Sequence, residues 1–148
     1  MFRIRKKYTF EMAHQLTKAF SSSCSDCIHG HTYDLELYFV SEQLDENGMV
    51  VDFGQISSVI REYVDNWDHA LVMSKHSGTK YLHALGMNNS KLLVLHVNPT
   101  AEAMAKVMFH EIEAVFNKEL PKRKFALEKV RLHETRTGYA EYEPAVVE

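Results

Sequence analysis

The stretch "CSDCIHGH", from Cys24 to His31, places two thiols and two imidazoles within eight residues. Each is a metal ligand, and a thiolate is also a base. Two readings compete. All four side chains close one structural Cys₂His₂ zinc site, or the stretch divides into two histidine ligands and a cysteine loop that does chemistry. Zinc modules of the first kind separate their ligand pairs by a longer stretch, so that the chain can wrap the ion. Here the histidines follow Cys27 almost at once. The second reading needs a third ligand, and His14 supplies it. His29 and His31 stand at i and i+2, on one face of a strand, and His14 ends an earlier strand. If the two strands pair antiparallel, as consecutive strands usually do, the three imidazoles meet. Three neutral imidazoles suit Zn²⁺ and leave a fourth position open, the layout of a catalytic rather than a closed site. Taken alone, His14 would be an ordinary strand-end residue.

The elements that must hold these groups are readable from periodicity. Phe2, Ile4, Tyr8, Phe10 and Met12 alternate with Arg3, Arg5, Lys7, Thr9 and Glu11, which predicts a strand from Phe2 to His14. A polar loop, "TKAFSSSCSDC", follows. Tyr33, Leu35, Leu37 and Phe39 continue the face of His29 and His31 and predict a second strand from His29 to Val40. "DENG" marks a turn. Ile56, Val59, Ile60, Tyr63, Val64 and Trp67 form one helical stripe over Gly54–Trp67. Residues 74–98 carry no clear period and are expected to hold a loop with a short helical or extended piece. Pro99 and Thr100 open a second helix, ended by Pro121, with Met104, Val107, Met108, Ile112, Val115 and Phe116 as its stripe. Strands over 125–135 and 139–143, joined by "RTG", complete the chain. The expected fold is one α+β domain, residues 1–148, with a four-stranded antiparallel sheet and two helices in the order ββααββ. Its open sheet edges call for oligomerisation.

The bulk properties narrow the function. The 148 residues suit one domain with a genuine core, and 45% hydrophobic and 25% charged residues are ordinary for a globular chain. The net charge of −3 gives no reason to expect nucleic acid as a partner. No run approaches the ~18 apolar residues of a membrane span. "MFRIRKKYTF" does not read as an export signal, so a cytoplasmic, reducing setting with free thiols is expected for the two cysteines.

Taken in order, "FEMAHQL", the cysteine loop, "HGHTYDLEL", "GMVVDF", "WDHALV", "NPTAEAMA" and "HET" resemble the 6-pyruvoyltetrahydropterin synthase / 6-carboxytetrahydropterin synthase family over nearly the whole chain. The resemblance implies the tunnelling fold, whose ββααββ subunits close into a barrel as trimers, commonly stacked as hexamers, with active sites between subunits. It implies a Zn²⁺-dependent lyase acting on 7,8-dihydroneopterin triphosphate. The zinc histidines then match His14, His29 and His31, and the Asp-His pair matches Asp68 and His69. Glu134 matches the glutamate that anchors the pterin ring, and Thr100 and Glu102 sit in the motif that helps line the pterin pocket.

The catalytic cysteine of such enzymes lies in the loop before HGH. Cys24 has four residues between itself and His29. Bacterial 6-carboxy members typically have one fewer, and animal 6-pyruvoyl members one more. Cys24 is the closer match to both patterns, with Cys27 and Asp26 as the alternatives. In the implied chemistry a thiolate of lowered pKa serves as base, partnered by His69, with Asp68 or Glu134 orienting the imidazole. On sequence alone Asp68 and His69 read as a helix-end pair, and Glu134 as a strand-end glutamate. Arg3, Arg5, Lys6, Lys7, Lys80 and Arg136 are available to the triphosphate. The expected product is 6-carboxytetrahydropterin, on the way to queuosine and other deazapurines. The 6-pyruvoyl product is the second reading, and a non-catalytic zinc- or pterin-binding member the third.

Overall fold

The first two strands pair along their whole length. In the computed structural model, which describes residues 1–145, β1 (Phe2–His14) runs antiparallel to β2 (His29–Ser41), with Phe2 opposite Ser41 and His14 opposite His29. The last three residues of the expected domain lie outside the described residues. The loop between β1 and β2 holds one short helical turn, α1 (Ser22–Ser25). Helix α2 (Phe53–Trp67) begins where the Asp52 carboxylate accepts from the Gly54 N–H at 2.6 Å, an N-cap that satisfies a helix-end donor. Thr100 does the same for α4 (Ala101–Glu119) through the Ala103 N–H. Two strands, β5 (Ala126–His133) and β6 (Tyr139–Tyr142), follow α4.

The expected antiparallel frame is present as β1-β2-β5-β6, but the sheet is larger. Residues 70–95 add β3 (Ala70–Ser74), a 3₁₀ turn (Lys75–Ser77), α3 (Thr79–Asn88) and β4 (Leu92–Leu95). These extend the sheet to six strands in the order β4-β3-β1-β2-β5-β6. β3 runs parallel to β1, but only over Met12–His14, and β4 runs parallel to β3. β3 is buried at every residue, so "ALVMS" shows no alternation from which a strand could be read.

One face of the sheet carries the core. Tyr33, Leu35, Leu37 and Phe39 are fully buried against Ile56 and Ile60 of α2 and Met104, Met108, Ile112 and Phe116 of α4. Each such apolar side chain contributes about 1.5–3 kcal/mol by leaving water. The buried face of α4 is rotated from the expected stripe. Ala105 and Phe109 are buried, whereas Val107 and Val115 are only half-buried, because Phe109 packs on Tyr142 of β6.

The opposite face is polar and laced with charge. Arg3 pairs with Glu128, Arg5 with Glu36, Lys7 with Asp34, and Arg131 with Glu141. β5 also departs from simple alternation. Leu127 faces Phe39 and Lys129 faces Tyr38, which leaves Glu128 as an extra residue, a β-bulge. The bulge changes the parity of the strand. Leu127 is buried before it, Val130 and Leu132 after it, and Glu134 therefore continues the core-facing set.

Candidate metal centre and the adjoining cavity

The register of β1 and β2 produces the histidine cluster. His14 stands opposite His29, and His31 stands opposite Met12 on the same face. The ring centroids are 4.5 Å apart for His14 and His29, 5.1 Å for His29 and His31, and 5.3 Å for His14 and His31. One nitrogen from each ring lies within 4.8 Å of the other two. Among the described residues no other three histidine, cysteine or acidic side chains converge in this way. Neither cysteine belongs to the group, which removes the Cys₂His₂ reading.

The surroundings fix the rings for a metal. His14 Nδ1 lies 2.8 Å from the Pro99 carbonyl and His29 Nδ1 lies 3.1 Å from the Cys27 carbonyl. A carbonyl only accepts, so each Nδ1 carries the proton and each Nε2 presents a lone pair. His31 Nε2 is buried without a hydrogen-bond partner. A buried polar nitrogen with no partner is costly, and a cation in the cluster would satisfy it. Burial also holds the His14 imidazole below its ordinary pKa, although Pro99 and Glu134 act in the other direction. It thus favours the neutral, ligating form. Three converging imidazoles, two of them with the tautomer fixed, fit Zn²⁺.

Glu134 connects this cluster to a cavity. Its Oε1 is 3.5 Å from His14 Nε2 and 3.4 Å from the Tyr33 hydroxyl. Burial first, and Glu134 second, push the Tyr33 hydroxyl far above the usual phenol range, so it remains a donor. Sequence reasoning missed Tyr33 as a site residue, although it follows His29 and His31 on the same alternating face. A cavity of about 310 Å³ is lined by Leu16, Thr100, Glu102, Glu134, Gly138 and Tyr139, among others. The three residues expected to bind substrate thus share one concave surface.

Within one chain Asp68 and His69 make their bonds to Glu11 of β1 and to each other, not to the cluster. Asp68 ends α2, and its Oδ1 accepts from the Glu11 N–H at 2.9 Å, while the His69 N–H donates to the Glu11 carbonyl at 2.6 Å. These bonds hold His69 at a φ of 60°, a left-handed conformation that costs a non-glycine residue of order 1 kcal/mol or more. Asp68 Oδ2 is 3.0 Å from His69 Nδ1, so Asp68, and not Glu134, orients this imidazole. His69 is 74% exposed and borders a second cavity with Glu11, Gly30, Thr32 and one member of the cluster, His31. Among the described residues, neither Asp68 nor His69 has a hydrogen bond or ion pair to the three histidines.

The cysteines occupy the loop. Both are free thiols, Cys24 half-buried in α1 and Cys27 exposed. Of the basic residues expected to meet an anion, Arg3, Arg5 and Lys7 are already paired with Glu128, Glu36 and Asp34.

A six-stranded sheet with three imidazoles converging at one end, beside a pocket of small-molecule size, defines an α+β domain with a site that could hold one metal ion. The chain belongs to the 6-pyruvoyl tetrahydropterin synthase family, whose sequence model matches residues 3–145. A curated 6-carboxy-5,6,7,8-tetrahydropterin synthase from Rickettsia bellii is 33% identical over 144 residues, covering 95% of this chain and 99% of the relative. The Haemophilus influenzae protein of the same name is 30% identical over 150 residues, covering 97% and 99%. Among solved structures, an uncharacterized protein from Wolinella succinogenes superposes with a TM-score of 0.76 at 16% identity, covering 97% of this chain and 98% of that one. The 6-pyruvoyl tetrahydropterin synthase of Caenorhabditis elegans gives 0.67 at 20%, covering 97% and 96%. These two likenesses speak for the fold, which is the expected tunnelling-fold subunit. Among the described residues, no helix is long and apolar enough to cross a membrane.

Proposed function

We propose that this chain is a zinc-dependent lyase that converts 7,8-dihydroneopterin triphosphate to 6-carboxy-5,6,7,8-tetrahydropterin. The observation that carries the reading is the 310 Å³ cavity in which Thr100, Glu102 and Glu134 meet beside the three-histidine cluster. The names of the relatives at 30% and 33% identity favour the 6-carboxy over the 6-pyruvoyl product.

His14, His29 and His31 would hold Zn²⁺. A bound zinc ion supplies Lewis acidity, which lowers the pKa of a coordinated hydroxyl and polarises an adjacent carbonyl. Glu134 accepts from the amino-pyrimidine edge of the pterin, whose parallel N–H groups match a carboxylate as a guanidinium does. Tyr33 steadies the carboxylate from behind. Cys24 takes a proton from the substrate side chain as the general base. His69, held by Asp68, is the acid–base partner. Because that pair stands apart from its own chain's histidines, it serves the site of a neighbouring copy. Among the described residues β1 leaves an unpaired edge from Phe2 to Phe10, and β6 leaves another, so copies can join edge to edge into a barrel of trimeric or hexameric order. Lys80 and Arg136 are the candidates left to meet the triphosphate, along with Lys6. Residues 1–148 form a single domain, and a cytoplasmic setting would keep both thiols reduced.

Incubating the zinc-loaded protein with 7,8-dihydroneopterin triphosphate and identifying the products tests the reading. Release of acetaldehyde with the 6-carboxy pterin is expected. Triphosphate release without acetaldehyde points to the 6-pyruvoyl product, and bound zinc without turnover to a binding protein.

A further inference from the structure

Helix α1 cannot hold itself. It has four residues, buries no side chain, and has no side-chain bond at its N-cap Ser21. An isolated turn of this length is unstable, because nucleation fixes several dihedrals for one hydrogen bond. Something outside α1 must therefore set the pose of Cys24. Its anchors are two consecutive residues that leave the end of β1. The Leu16 N–H donates to the Cys24 carbonyl at 3.0 Å, and Gln15 Nε2 donates to the Ser25 carbonyl at 2.8 Å. Gln15 directly follows the cluster residue His14.

The Gln15 amide is itself oriented from elsewhere. The Tyr81 hydroxyl, on α3, donates to Gln15 Oε1 at 2.9 Å. With the oxygen of the amide engaged, its NH₂ end is turned toward Ser25. The same inserted segment reaches the start of the loop through Asn98. Asn98 Oδ1 accepts from the Thr17 N–H at 2.7 Å and its Nδ2 donates to the Lys18 carbonyl at 3.2 Å. Residues 74–98, which show no period in the sequence, thus touch the cysteine loop at two places.

We propose that Gln15, oriented by Tyr81, is a positioning residue that sets the pose of Cys24 relative to the three-histidine cluster. The inference rests on the reading of Cys24 as the base. It gives the α3 excursion a role: a brace for the loop.

The test compares Gln15→Leu, Gln15→Glu and Tyr81→Phe with the parent enzyme in the zinc-loaded state. The measurements are the rate of iodoacetamide alkylation at Cys24, located by peptide fragmentation, zinc per chain, and kcat and KM on 7,8-dihydroneopterin triphosphate. Gln15→Leu is expected to raise alkylation of Cys24 several-fold and leave zinc content unchanged. It should lower kcat by about tenfold to 10²-fold with KM nearly constant, since a reacting group misplaced by about 1 Å can cost about 10²-fold. Tyr81→Phe shifts the same quantities less. Gln15→Glu fills the same space and still accepts from Tyr81, yet turns a carboxylate toward the Ser25 carbonyl. It should behave like Gln15→Leu, whereas a space-filling role would be preserved.

Unchanged Cys24 alkylation in these variants overturns the brace. Raised alkylation with unchanged kcat overturns its part in catalysis. If Gln15→Leu fails to fold, Tyr81→Phe decides, since it removes one hydroxyl from an exposed pair. A parent protein that binds zinc without turnover would sink the lyase reading instead, and the alkylation rates would still decide the brace.

Discussion

The histidine cluster and the cysteine loop lie beside each other in sequence and are built in opposite ways. His14, His29 and His31 stand on two strands paired at every residue, and backbone carbonyls fix two of the three rings. The loop that carries Cys24 and Cys27 holds a single helical turn, tied down by a few polar contacts. A metal site gains from rigid ligands, because the ion imposes distances and angles that mobile side chains would have to be ordered to meet. A base that must approach and then leave a carbon atom is better placed on a segment whose pose can adjust. On the proposed reading these demands separate across the Cys27–His29 junction, where the Cys27 carbonyl orients the His29 ring and the Cys27 thiol stays exposed.

The largest expected effect falls on the rigid side. His31→Ala removes one of three ligands and should abolish both bound zinc and turnover, read by metal analysis and product formation; retained stoichiometric zinc would break the comparison. Next comes the loop. Cys24→Ala should keep zinc and lower kcat by about 10²–10⁴, the usual contribution of a positioned base. Cys27→Ala should change kcat less than about threefold, and a reversed ranking would move the base to Cys27. Glu134→Gln joins the two regions. It should retain zinc and raise KM about tenfold, since a charge-assisted pair becomes a neutral one. The smallest effect is on the far face of β2. There the Thr9 hydroxyl, and Lys7 after it, hold the Asp34 carboxyl below its ordinary pKa. Its contribution is complete above the ordinary carboxylate range and is lost as pH falls through the lowered folded value. Asp34→Asn should cost less than about 1 kcal/mol at neutral pH, because the pair is partly exposed. The difference from the parent should shrink as pH falls through the lowered folded value in thermal denaturation, with zinc content unaffected.

The rigid region was legible in the sequence and the adjustable one was not, for related reasons. Strands β1 and β2 half-bury one face each, so their alternation shows directly, and His14, His29 and His31 fall in phase with it. β3 is buried on both faces and loses the period that would reveal it. The Asp68–His69 pair was expected near Cys24. Within one chain it bonds to Glu11 instead, with His69 in a left-handed conformation that no pattern of residue types announces. Gln15 and Tyr81 lie far apart in sequence and are joined by one hydrogen bond, so only coordinates bring them together. The alternation expected across 125–135 hid the bulge at Glu128, because Phe125 and Leu127 fit one phase and Val130 and Leu132 the other.

That bulge makes β5 behave like a reading frame. Two consecutive residues, Glu128 and Lys129, spend themselves on the charged face, where they meet Arg3 and Tyr38, and every later side chain arrives one step out of phase. Deleting Glu128 itself would only remove the bulge, because Leu127 and Lys129 already face Phe39 and Tyr38. Deleting one residue after it, such as Arg131, would leave "HET" untouched as text and yet turn Glu134 to the wrong side of the sheet, with His133 in its place. For this hairpin, a gap of one residue in an alignment is therefore a larger change than several substitutions around it.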